Sequence, residues 1–71
     1  MDVRSNIKNY LEKRGVSNTW LSKKTGISQA ALSMTFNLKR ELKADEYFSI
    51  CSALKVPVNK FATRERDSNI H

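Results

Sequence analysis

Apolar residues recur every three or four positions at the start of the chain, which is the period of an amphipathic α-helix. The residues that follow this period are Val3, Ile7, Tyr10 and Leu11. The pattern predicts a first helix over residues 3–14. Asp2 is suited to cap the start of this helix, and Gly15 is suited to end it.

The next part of the chain predicts two further short helices joined by a tight corner. Ser17 can cap a helix over residues 18–25, and Gly26 follows it, where a chain leaving a helix often needs a positive φ. Ser28 can cap the next helix, over residues 29–36, because its hydroxyl can accept a free backbone N–H of the first turn. A helix, a glycine corner and a second helix form the helix-turn-helix arrangement.

The remainder of the chain predicts one longer helix, one short helix and a tail. A fourth helix is expected over residues 44–54, with one apolar stripe turned toward the core. The residues of this stripe are Tyr47, Ile50, Cys51 and Leu54. The apolar stretch over residues 56–61 predicts a short fifth helix, because Pro57 near its start has no N–H to leave unsatisfied. Residues 63–71 alternate in charge and predict a frayed tail.

Length and composition allow one small hydrophobic core. The chain has 71 residues, of which 39% are hydrophobic, with only two Gly and one Pro. Trp20, the largest apolar residue, is expected to anchor this core between helices. The predicted fold is all-α, a compact bundle of about five short helices with a central helix-turn-helix. The predicted domain spans residues 1–62, and residues 63–71 form the polar tail.

Charge is distributed unevenly along the chain. Thirteen Lys and Arg against seven Asp and Glu give a net charge of +6, which suits a nucleic-acid partner. No acidic residue lies between Glu12 and Glu41, and this window encloses the predicted helix-turn-helix. The cations inside the window are Lys13, Arg14, Lys23, Lys24, Lys39 and Arg40. Ordinary solvated side chains are the alternative explanation for this pattern.

The chain lacks the residue clusters that enzymes and metal sites require. Its one Cys and one His, Cys51 and the terminal His71, cannot supply a metal site or assemble a Cys–His nucleophile. Cys51 is expected to be a small buried hydrophobe. No apolar run approaches the ~20 residues that cross a bilayer. We therefore expect no enzyme activity, cofactor, metal, small-molecule substrate or membrane partner, and a cytoplasmic location.

Three positions at fixed spacing relate the central segment to a known family. Ser22 is a small residue in the first helix of the motif, Gly26 follows it after four residues, and the aliphatic Leu32 lies six residues beyond the glycine. This spacing resembles that of the small phage repressors and Cro proteins, also called xenobiotic-response-element-like regulators. The resemblance extends over about residues 7–61. It implies a lambda-repressor-like DNA-binding domain.

The chain departs from the pattern of that family at five positions. Leu38 stands where a glycine is usual, and Lys55 replaces a glycine at the end of the fourth helix. Thr25 and Thr35 occupy positions that are commonly apolar, so their hydroxyls need partners if they are buried. Lys43 stands where a serine cap is usual.

The second helix of a helix-turn-helix enters the DNA major groove, with its N-terminal residues against base edges. The residues expected to contact bases are Gln29, Ala30, Ser33 and Met34. The Gln29 amide can form a bidentate pair with adenine, and a merely solvated amide is the alternative. Most of the affinity is expected from phosphates. The residues expected to contact them, partly by resemblance to the family, are Asn18, Lys23, Ser28, Asn37, Lys39 and Arg40.

The leading hypothesis is a sequence-specific DNA-binding transcriptional regulator, Cro-like or repressor-like, acting on a short palindromic operator. It would bind double-stranded DNA as a homodimer in a bacterial cell or a phage-infected host, with the segment from Pro57 onward as the dimer contact. One alternative is a protein-interaction module of the same fold, acting as an anti-repressor or an antitoxin-like partner. Another alternative is the DNA-binding part of a longer repressor.

Overall fold

A computed structural model describes residues 2–61 of the chain. Its helices, in chain order, are α1 (Val3–Arg14), α2 (Asn18–Thr25), α3 (Gln29–Phe36) and α4 (Ala44–Leu54). No strand occurs between residues 2 and 61. The predicted all-α fold with a central helix-turn-helix is confirmed. The tail predicted over residues 63–71 lies outside the described residues.

Three of the four helices begin at a side chain that accepts a backbone N–H of the first turn. The accepting residues are Asp2, Ser17 and Ser28, as the sequence predicts. α4 begins at Lys43, whose ammonium group cannot accept a hydrogen bond from a backbone N–H. The Glu46 carboxylate supplies the local contact instead and accepts the backbone N–H of Lys43 at 3.1 Å. Caps of this kind each stabilise a helix by about 1 kcal/mol.

The core lies where the four helices meet. α2 packs against both α3 and α4, and α1 packs against α3. The buried apolar side chains are Ile7, Leu11, Leu21, Leu32, Phe36, Ile50, Cys51 and Phe61. Phe61, the last described residue, is buried in this core. Its ring and the ring of Tyr10 pack edge to face, with their centroids 5.2 Å apart. Every helix therefore contributes to one continuous core.

The prediction that Trp20 anchors the core is wrong. Its side chain is 40% exposed, whereas the neighbouring Leu21 is fully buried. Adjacent residues on a helix point about 100° apart, so only one of the two can face the middle of the bundle. The packing of α2 between α3 and α4 gives that place to Leu21.

The predicted fifth helix does not form within the described residues. After α4 the chain makes a turn, in which the backbone N–H of Lys60 donates to the Pro57 carbonyl at 3.0 Å. The segment is held by its contacts with other helices. The Asn6 amide donates to the Phe61 carbonyl at 3.0 Å, and the Tyr47 hydroxyl donates to the Val58 carbonyl. Burial of Phe61 and these two bonds replace the helical bonds that were expected.

The C-terminal end of α4 generates a stability prediction. Lys55 follows the helix with φ of 59°, a left-handed conformation that is unfavourable for a residue with a Cβ. Lys55→Gly is expected to raise the free energy of unfolding by about 0.5–1 kcal/mol, since the relief of strain exceeds the added entropy of the unfolded chain. Urea denaturation followed by circular dichroism measures the change.

Gly26→Ala is the matched control for this prediction. Gly26 ends α2 with φ of 82°, and no atom lies within 4 Å of the position that a Cβ would take. Conformational strain alone is therefore expected to lower stability by about 1 kcal/mol. A loss of stability in Lys55→Gly would contradict the assignment of strain to Lys55.

Candidate nucleic-acid interface

One face of α3 is open to solvent, and the other is buried in the core. The exposed residues include all four that were predicted to contact bases: Gln29, Ala30, Ser33 and Met34. The buried residues are Leu32, Thr35 and Phe36. A helix of this length is about 12 Å long. The exposed face could thus lie along the floor of a groove while the opposite face remains in the core.

A side-chain hydrogen bond orients Gln29 at the start of this face. The Thr19 hydroxyl on α2 donates to Gln29 Oε1 at 3.1 Å. The bond leaves both amide hydrogens and a second lone pair of Oε1 available to another partner. Thr19 therefore presents the Gln29 amide in a defined orientation. The sequence offers no signal for this role, because the two residues lie ten positions apart on different helices.

Arg40 holds the opposite end of α3. Its Nη1 donates to Thr35 Oγ1 at 3.1 Å and to Glu46 Oε1 at 2.9 Å, and its Nη2 donates to Glu46 Oε2 at 2.7 Å. Thr35 Oγ1 in turn donates to the Ala31 carbonyl at 2.8 Å. Arg4 of α1 donates from Nη1 to the Arg40 carbonyl at 2.9 Å. The guanidinium of Arg40 thus connects α3 with α4. The backbone carbonyl of Arg40 connects this pair of helices with α1.

These contacts change what can be expected of Arg40, which was predicted to contact phosphate. Its guanidinium faces Glu46 and Thr35, and its side chain is 27% exposed. Arg40 therefore connects α3 with α4 in the structure, and its contact with phosphate stays a prediction. The pair was missed because Arg40 lies in a loop six residues before Glu46, a separation without a helical or strand period.

The other predicted phosphate-contact residues surround α3 at the surface. Four of them, Lys23, Ser28, Asn37 and Lys39, are exposed, and Asn18 is half-buried. Ser28 Oγ already accepts the backbone N–H of Ala31, and its own hydrogen can still donate outward.

A cleft between α1 and α3 collects several of these polar side chains. Asn18, Ser33 and Asn37 line it, together with Lys8 and Glu12 of α1. Glu12 places a carboxylate next to side chains that were predicted to contact DNA. The negative charge at this edge opposes a phosphate, and Lys8 offsets it.

The two threonines at positions commonly apolar in the family have satisfied hydroxyls. Thr35 is buried, and its hydroxyl both donates to Ala31 and accepts from Arg40. Thr25 donates to the Leu21 carbonyl at 2.8 Å and accepts the backbone N–H of Ile27 at 3.1 Å. Neither hydroxyl therefore imposes the cost of a buried, unpaired polar group.

Within residues 2–61, no three His, Cys, Asp or Glu side chains lie close enough to hold a metal ion. Burial raises the pKa of the Cys51 thiol, which keeps it protonated and poorly nucleophilic. Among the helices of the described part of the chain, none has the length and apolar character to cross a membrane.

Comparison with known proteins gives one match. A helix-turn-helix family matches residues 7–61, which is most of the chain and covers α2, α3 and α4 completely. The matched range agrees with the extent of the resemblance noted in the sequence. No curated protein and no solved structure matches the chain.

The ion pair of Arg40 and Glu46 generates a prediction about acid stability. Hydrogen bonds from Arg40 lower the pKa of Glu46 from 4.5 to about 2. The folded state therefore binds fewer protons than the unfolded state at mildly acidic pH, and stability should fall as the pH decreases from about 4.5 to about 2. Glu46→Gln is expected to lower the free energy of unfolding at neutral pH by about 1–3 kcal/mol. It should also flatten the acid-induced loss, as measured by urea denaturation across that pH range.

Asp2 also has a pKa lowered to about 2, mainly by its hydrogen bond with Arg4. Asp2 is exposed, so solvent screening makes its contribution smaller. Asp2→Asn keeps a side chain that can cap α1 but removes the carboxylate. It is the control that measures how much Asp2 contributes to the acid-induced loss of stability. If Glu46→Gln had the same acid-induced loss of stability as the unaltered chain, the ion pair would not be its source.

Proposed function

The chain belongs to the phage repressor and Cro-like helix-turn-helix family of DNA-binding regulators, and on that premise we propose that it recognises a specific operator through α3. The operator is a short palindrome, bound by two copies of the chain. The protein acts as a transcriptional regulator of the repressor or Cro type, in the cytoplasm of a bacterium or a phage-infected host. Residues 1–62 are the proposed DNA-binding domain.

The observation that carries this proposal is the exposed face of α3. The B-DNA major groove is about 12 Å wide and admits one α-helix. α3 presents Gln29, Ser33 and Met34 outward, while its apolar face remains packed in the core. No acidic residue occurs between Glu12 and Glu41, so the segment that contains α2 and α3 carries only positive charges.

The proposed base contacts follow from the chemistry of each exposed side chain. Gln29, whose orientation is restricted by Thr19, can pair with both the N6 amino group and N7 of adenine. The Ala30 methyl suits a thymine methyl, and the Ser33 hydroxyl can donate to or accept from a base. Met34 is 47% exposed and adds a flexible apolar contact. With one long polar side chain on this face, each half-site has modest specificity.

The proposed phosphate contacts are Asn18, Lys23, Ser28, Asn37 and Lys39. They are expected to supply most of the affinity and to make it depend on salt. We assign Arg40 a positioning role, because its guanidinium already binds Glu46 and Thr35.

The proposed homodimer places two copies of α3 in successive major grooves, about 34 Å apart. The proposed contact begins at Pro57, where the Val58 side chain is 53% exposed. A dimer that binds two weak half-sites at once has a higher affinity for the operator than a single copy has for one half-site.

The test of operator recognition begins with the selection of bound duplexes from a random DNA pool. Gln29→Ala is then expected to weaken binding to the selected operator by about 1–3 kcal/mol, or roughly 5- to 150-fold. Its affinity for random duplex should not change, since the amide contacts bases only. Equal affinity of the unaltered chain for operator and random duplex would refute the proposal, and α3 would then be free to serve as a protein-binding surface.

Lys39→Ala tests a phosphate contact. It is expected to weaken binding to operator and to random duplex by the same factor. The slope of log affinity against log salt concentration should decrease in magnitude by about 1. Lys13→Ala is the control, because Lys13 is exposed on α1 and belongs neither to the proposed DNA contacts nor to the proposed dimer contact. An unchanged salt slope in Lys39→Ala would remove Lys39 from the interface.

A further inference from the structure

A second surface feature lies between α2 and α4. It is an open groove of about 600 Å³. Its lining includes Trp20, Lys24, Phe48, Ser49, Ser52 and Lys55. α2 packs against both α3 and α4, and the groove is lined by residues of α2 and α4 and by Lys55, with none from α3. None of the proposed base or phosphate contacts lines it.

The groove exposes two aromatic side chains that lie outside the buried core. Trp20 is 40% exposed and Phe48 is 54% exposed, and neither is among the buried core residues. Trp20 is the only tryptophan in the chain. Aromatic rings bury large areas when they bind a partner, and Trp and Tyr are enriched among the residues that dominate binding energy. Two such rings flanking one groove offer anchor points for an apolar side chain.

The charge of the groove indicates the chemistry of its occupant. Lys24 Nζ lies 5.6 Å from the centroid of the Trp20 ring, and Lys55 also lines the groove. No lining residue is acidic. Asp45 lies one turn before Phe48 on α4 but does not reach the groove. The hydroxyls of Ser49 and Ser52 add neutral donors.

We propose that this groove binds an acidic peptide segment of another protein, which inserts an aromatic or aliphatic side chain between Trp20 and Phe48. Carboxylates of the segment pair with Lys24 and Lys55 at the edge. A second copy of this chain is a poor occupant of the groove, because its densest acidic run, residues 41–46, contains Glu46, which already pairs with Arg40. Single-stranded nucleic acid would stack on aromatics, but it requires a continuous cationic track, and the groove has only two lysines.

The position of the groove has a functional consequence that does not depend on the operator. Since none of the proposed base or phosphate contacts lines the groove, we expect the acidic segment and DNA to be bound at the same time. The proposal therefore concerns a partner that joins the protein on DNA, and it would hold even if α3 recognised DNA without sequence preference.

The test is a selection from a random peptide library displayed on phage, with the folded chain as bait. Enriched peptides are expected to be acidic and to contain an aromatic or aliphatic residue. Synthetic versions without tryptophan should change the fluorescence of Trp20 on binding, and their affinity should fall with added salt. Failure to enrich any peptide, or enrichment of peptides without acidic residues, would overturn the proposal.

Matched variants locate the binding site. Trp20→Ser, Phe48→Ser and Lys24→Glu are each expected to weaken peptide binding by about tenfold or more. Leu38→Ser and Lys13→Glu are the controls, because Leu38 is 50% exposed and Lys13 is exposed on α1, and neither lines the groove. For variants without Trp20, a fluorescent label on the peptide reports binding. Equal binding by Phe48→Ser and the unaltered chain would overturn the assignment.

The last measurement compares peptide binding by the free chain with peptide binding by its complex with duplex DNA. The peptide is expected to bind the complex with duplex DNA as tightly as it binds the free chain, and Trp20→Ser should leave DNA affinity unchanged. Competition between peptide and duplex would show that the peptide mimics phosphate on the α3 face. Tight binding of oligothymidylate in the groove would identify a nucleic-acid site instead. Either result would overturn the proposal.

Discussion

The burial of one face of α3 is the constraint on which the proposed interface depends. Leu32, Thr35 and Phe36 are turned into the core, which leaves Gln29, Ala30, Ser33 and Met34 of this two-turn helix exposed to solvent. A rotation by one residue would expose Leu32 and bury Ser33. The loss of apolar burial at Leu32 alone would cost about 1.5–3 kcal/mol, a large fraction of the stability of so small a domain. The core thus determines which side chains of α3 can meet a partner.

Polar contacts then limit how α3 can move within this orientation. Thr19 holds the side chain of Gln29 at the N-terminal end, and Arg40 holds Thr35 at the C-terminal end. Glu46 neutralises Arg40 and at the same time accepts the backbone N–H of Lys43, the residue that precedes α4. In the described residues no buried side-chain nitrogen or oxygen lacks a hydrogen-bond partner. The interface therefore has support at both ends, and not only from apolar packing beneath it.

α2 contributes both to the exposed surface around α3 and to the groove between α2 and α4. Leu21 fills the core, Thr19 contacts the start of α3, and Trp20 lines the groove toward α4. Three successive residues can serve three sides because each turns about 100° from the one before. A helix packed on two sides by its neighbours has little room for a second bulky residue, which is why the only tryptophan of the chain is left partly exposed.

The sequence by itself determined the features that depend on neighbouring residues. Helix boundaries follow from capping side chains such as Ser17 and Ser28 and from Gly26, whose preferences act within one turn. The exposed face of α3 follows from the helical period, so the outward position of Gln29 and Ser33 was predictable, although their contacts with DNA stay a prediction.

Only the tertiary structure decided the features that depend on residues distant in the chain. The pairing of Arg40 with Glu46, the exposure of Trp20 and the absence of a fifth helix over residues 56–61 all depend on how the four helices pack. Local propensities act through backbone geometry within a few residues. Burial and ion pairing depend on which side chains the fold brings together, and the period of a single helix does not contain that information.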